Sequence, residues 1–132
     1  MVTIANNGFY LFRVDPAKNT IYMAITGIWP GGEEIAQYLS HLKEALALVR
    51  PGFAVLADLR EMEEAPMAVQ QMHVQAQRLT VEAGISQLAE IHELNNPGSE
   101  QAIAMARESN IPLNIFDDPA DAEAWLSDLR VK

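Results

Sequence analysis

Three groupings along the 132-residue chain carry residue types that could do chemistry. The first is Glu90-Ile91-His92-Glu93. On a strand, Glu90 and His92 share a face and Glu93 lies on the other. Two such groups could begin a metal site, but a bound metal needs at least three ligands in correct geometry. His41 and His73 fall on other elements, so the simpler expectation is a histidine hydrogen-bonded to a neighbouring carboxylate. The second grouping is Asp58-Leu59-Arg60-Glu61. A carboxylate past the end of a buried strand could act as a general base if its pKa were raised. No nucleophile accompanies it: the chain has no cysteine, and no Ser or Thr follows in the loop. Asp58 is therefore expected to accept backbone amides or to pair with Arg60. The third is methionine. Met62, Met67 and Met72 are half of the six in the chain, and methionine recurs on surfaces that adapt to varied apolar partners. No phosphate-cradling loop accompanies these groups, because Gly31-Gly32 lacks both the spacing and the lysine.

The element that must position them is the strand 53–59, Phe-Ala-Val-Leu-Ala-Asp-Leu. A run so apolar between Pro51-Gly52 and a charged turn reads as buried on both faces. Before it, residues 9–14 and 20–29 predict a hairpin across the turn Asp15-Pro16-Ala17-Lys18-Asn19, with Trp29 at its end as either an interface anchor or a buried aromatic, and Pro30-Gly31-Gly32 as its stop. Residues 33–49 then change to helical spacing, with Ile35, Tyr38, Leu39, Leu42, Leu46 and Val49 on one stripe and Glu33 and Glu34 in the first turn. After it, a helix runs from Pro66 to about Ala83, stopped by Gly84. Val69, Met72, Ala76, Leu79 and Ala83 form its inner stripe; Met67, Val74 and Val81 form a weaker one. A strand over 86–94, a helix from a Ser99 cap to Glu108, a strand over 112–116 and a final helix from Asp118-Pro119 complete the chain. The order β-β-α-β-α-β-α-β-α means an α/β fold, a mixed sheet covered by helices, in one domain over residues 1–132.

Composition excludes more than it assigns. Without cysteine there is no disulfide, thiolate catalysis or thiolate metal site, which suits a reducing cytoplasm. The net charge of −9, with nine scattered Lys and Arg, argues against nucleic acid as a partner. It also argues against purely electrostatic docking on anionic lipid, while leaving apolar contact with a membrane open. No secretory leader or membrane-spanning run is expected.

The stretches Thr20 to Trp29, Arg50-Pro-Gly-Phe53, Leu56-Ala-Asp-Leu-Arg60, Glu82-Ala-Gly84, Ala89-Glu-Ile-His-Glu93, and Phe116-Asp-Asp118 through Ala124-Trp-Leu126 are spread over nearly the whole chain. Together they resemble the STAS domains, the anti-sigma-factor-antagonist fold. Within these they are most similar to the SpoIIAA-like family, related to the CRAL-TRIO lipid-binding domains. The resemblance implies a STAS-like sheet, no enzymatic activity, and an apolar ligand or membrane association. The antagonist branch switches by phosphorylation of a Ser at the start of the helix after the buried strand, where a phosphate gains from the helix dipole. Here residues 59–79 contain no Ser or Thr, so that switch is not expected.

The leading expectation is a cytoplasmic, non-enzymatic module without cofactor or metal. Its second helix covers a pocket for a lipid-like ligand, with Met62, Met67, Met72 and Val74 as the ligand-facing set. The alternative is a protein-interaction domain, homodimerising or regulatory, that uses the same apolar surplus against a partner. An enzyme using Asp58, His73 or His92 is the third class.

Overall fold

A computed structural model describes residues 1–27, 33–93 and 95–130. The expected strand end at Ile28-Trp29, the Trp29 anchor, the Pro30-Gly31-Gly32 stop and Leu94 lie outside these residues, as do the side chains of Glu33, Glu34 and Ile35. Six strands form one mixed sheet in sequential order: β1 (Val2–Asn6), β2 (Tyr10–Asp15), β3 (Thr20–Ile25), β4 (Ala54–Asp58), β5 (Gln87–Ile91) and β6 (Leu113–Phe116). β1, β2 and β3 pair antiparallel, whereas β3 through β6 pair parallel. The helices are α1 (Glu33–Leu46), α2 (Met67–Glu82), α3 (Pro97–Ser109) and α4 (Pro119–Arg130).

One strand is a correction: β1 precedes the hairpin predicted from sequence, so the order opens with three strands. Its signal is weak because it is an edge strand with no fully buried residue, and so has little reason to alternate.

The sheet order places the helices. Parallel strands joined through a helix almost always cross over right-handed. Successive crossovers that step the same way across the sheet then put their helices on one face. α1, α2 and α3 share such a face, and their core runs over Phe12, Ile21, Val55 and Leu88. α4, which follows the last strand, covers the other face with Ala122 and Leu126 against Leu56 and Ile91. β4 shows both layers in one strand. Val55 and Ala57 belong to the first core, Ala54 and Leu56 to the second, as its uninterrupted apolar run requires.

The helix ends follow local chemistry. At α4 the Asp118 carboxylate accepts the Ala120 amide at 2.7 Å, with Pro119 opening the helix. After α2, Gly84 takes a positive φ of 99° just past the C-cap Ala83, the left-handed position that favours glycine. At α3 the expectation of a Ser99 cap is overturned. Asn96 is the cap, its side chain accepting from the Gly98 amide at 3.0 Å, and Pro97 follows it. Ser99 is thereby carried into the first turn and buried.

Candidate functional site

α1, α2 and α3 do not fill the space above the sheet completely. A cavity of about 50 Å³ remains between the strands and the helices. It has room for a few water-sized spheres. Its wall is mostly aliphatic: Ile21 and Ile25 from β3, Val55 and Ala57 from β4, Met62 from the loop after β4 and Met105 from α3. The polar residues on it include Tyr38, His73, Thr80 and Glu90.

Each of these is tempered by its surroundings. The Thr80 hydroxyl donates to the Ala76 carbonyl at 2.8 Å, within its own helix. The rings of Tyr38 and His73 meet edge to face, 5.3 Å apart. Burial lowers the His73 pKa from 6.5 to about 4, so its imidazole is neutral at pH 7. Burial raises the Tyr38 phenol and, in the same sense, the Glu90 carboxyl. Glu90 is only 2% exposed, in mid-strand, and its Oε1 lies 2.8 Å from His92 Nε2. The expected pairing of this histidine with its neighbouring carboxylate is what forms.

Of the four residues expected to face a ligand, Met62 lines the cavity. Met72 and Val74 are buried but lie off its wall, and Met67 is 65% exposed. The reason is the position of α2. It packs against α1 on one side and α3 on the other, so side chains pointing sideways are buried by neighbouring helices. The line facing the sheet is Val69, His73, Ala76 and Thr80. Its spacing of four, three and four is that of an inward stripe, but two of its members are polar, and a search for apolar periodicity passes over them. Met105 and Tyr38 reach the cavity from α3 and α1, and no local pattern distinguishes them from other core residues.

The remaining candidates do not converge. Asp58 and Arg60 form a two-pronged pair, Nε to Oδ1 at 3.0 Å and Nη2 to Oδ2 at 2.7 Å, and Asp58 also accepts the Arg60 amide. The Arg60 guanidinium beside it holds the Asp58 carboxyl below its usual range, the opposite of what a general base needs. His41 pairs with the Tyr10 hydroxyl at 2.6 Å. Asp58 lines an open cleft of about 360 Å³, His73 the interior cavity, and His92 a third hollow. Among the described residues, no three His, Asp or Glu side chains gather where they could hold a metal ion.

The loop between β4 and α2 is pinned from α3. The Asn96 side chain donates to the carbonyls of Arg60 and Met62 at 3.1 and 3.2 Å. The Gln101 side chain accepts the Ala65 amide at 2.7 Å. Gly98 packs against the Met62 carbonyl so closely that a β-carbon would collide with it. Among the described residues, no helix is long and apolar enough to cross a membrane. No family model, curated protein or solved structure matches the chain.

Proposed function

We propose that this chain is a cytoplasmic, non-enzymatic binding module of the STAS-like kind, akin to the SpoIIAA-like family, that takes an apolar molecule between its sheet and helices. The observation that carries this reading is the cavity beneath α2, with aliphatic walls and Met62 and Met105 on them. Thioethers adapt to varied apolar shapes. A neutral His73 adds no charge to oppose such an occupant. At about 50 Å³ the resting cavity takes the end of an apolar chain. A longer acyl group enters by displacing α2, whose first turn has no side-chain cap. The loop ahead of α2 has no hydroxyl to phosphorylate, so ligand binding replaces the phosphoswitch of the antagonist branch.

Native mass spectrometry of the purified protein, with titration of a fluorescent fatty acid and of liposomes, tests the reading. Saturable binding that Ala76→Leu weakens by about tenfold or more, through filling the cavity, supports it. A protein with no bound apolar molecule and no affinity for either probe rejects it. One observation favours a homodimer instead. Met67 and Val81 are exposed at opposite ends of α2. A concentration-dependent dimer in sedimentation, broken by Met67→Glu, would establish that alternative. Val74→Glu is unsuitable for the purpose, because Val74 is buried and a carboxylate there would unfold the chain.

A further inference from the structure

The polar groups on the wall of the apolar cavity are not equivalent. The Thr80 hydroxyl is engaged by the Ala76 carbonyl, and the Gln77 side-chain oxygen accepts from the Ser109 hydroxyl at 2.7 Å. Glu90 differs from both. It stands within β5, 2% exposed, with Ala57 of β4 and Ile115 of β6 in register on either side. Among the described residues, its side chain makes one hydrogen bond, between Oε1 and His92 Nε2 at 2.8 Å. A carboxylate offers about four acceptor positions. Burying such a group with a single partner is costly, and native proteins seldom do so without a reason.

The rest of the wall fixes the chemistry of what fits beside it. Ala57, Leu88, Met62 and Met105 are apolar, and no Lys or Arg lines the cavity. His73 is neutral at pH 7. Nothing on the wall therefore offsets a second negative charge next to Glu90, and burying one there is costly. A fatty acid can enter only tail first, with its carboxylate left outside. A plain hydrocarbon gives Glu90 no partner. A hydroxyl both donates and accepts, so it pairs with Glu90 Oε2 whether the carboxyl is ionised or protonated.

We propose that the cavity takes a primary alcohol, its hydroxyl bonded to the Glu90 carboxyl and its carbon chain against Met62 and Met105. This rests on the reading of the cavity as an apolar binding site and names the polar group that its ligand carries. His92, itself only 6% exposed, holds Oε1 from behind and so leaves Oε2 for the hydroxyl. The resting volume of about 50 Å³ seats the hydroxyl and the first carbons. The remainder of a longer chain follows by the displacement of α2.

Met23, Met62 and Met105 line the cavity, whereas Met67 and Met72 do not. Methionine methyl resonances of the full chain therefore report binding and carry their own controls. The probes are 1-butanol, 1-chlorobutane of similar shape, and butyrate. Butanol and chlorobutane should each give a saturable shift at Met62 and Met105 and none at Met67. The Glu90 carboxyl carbon should move with butanol and not with chlorobutane. Butyrate should bind at least about tenfold more weakly than butanol. Glu90→Leu should weaken butanol about tenfold, the loss of a hydrogen bond to a charged group, and leave chlorobutane within about twofold. Glu90→Gln, which still donates and accepts, should hold butanol within about threefold of the parent. Chlorobutane binding without butanol, equal losses for both in Glu90→Leu, butyrate as tight as butanol, or an unmoved Glu90 carboxyl carbon overturns the proposal and leaves the apolar site standing. No methyl shift with any probe overturns both. The carboxyl carbon is read in the parent chain, so the outcome stands even if Glu90→Leu fails to fold.

Discussion

Gly98 has no side chain because the Met62 carbonyl occupies the place of one. Since that carbonyl is held by Asn96, it cannot yield cheaply. Gly98→Ala should cost about 1–3 kcal/mol in urea unfolding, the usual penalty for overpacking. His73 carries the second prediction at this scale. Its folded value of about 4 lies below the ordinary 6.5, so as pH falls the unfolded chain takes up a proton before the folded chain does. The stability this histidine supports is fully present above pH 6.5 and is lost progressively as pH falls toward 4, about 3 kcal/mol in all. The parent should lose that much relative to His73→Leu when denaturation midpoints are compared across the window. Of these residues, the sequence exposed the pairing of His92 with Glu90 and of Asp58 with Arg60. It exposed neither the role of Gly98 nor the burial of Ser99, because both depend on which segment lies opposite.

At the scale of elements, α2 separates what pattern reveals from what packing adds. Its existence, its start near Pro66 and its stop at Gly84 follow from local chemistry that the sequence carries. Which of its side chains meet the cavity depends on α1 and α3, the helices on either side. Met72 is therefore expected to behave as a core residue and Met67 as a surface one. In thermal or urea unfolding, Met72→Ala should cost about 2–5 kcal/mol, while Met67→Ala should stay within about 0.5 kcal/mol. A large effect at Met67 would place that side chain in an interface.

Over the whole molecule, a net charge of −9 opposes compaction through self-repulsion. Salt screens such repulsion, so the melting temperature should rise between low ionic strength and about 0.15 M sodium chloride, as scanning calorimetry can measure. The sequence by itself determined the α/β class, five of the six strands, the four helices and the double-sided burial of β4. Those are properties of neighbouring residues: hydrophobic period, turn chemistry and capping act over a few positions along the chain. It did not determine β1, whose edge position leaves little pattern. Nor did it determine the Asn96 cap, or the cavity beneath α2 with Glu90 on its wall. Those arise where segments distant in sequence pack against one another. A cavity is the volume such packing leaves unfilled, and no stretch of chain encodes it alone.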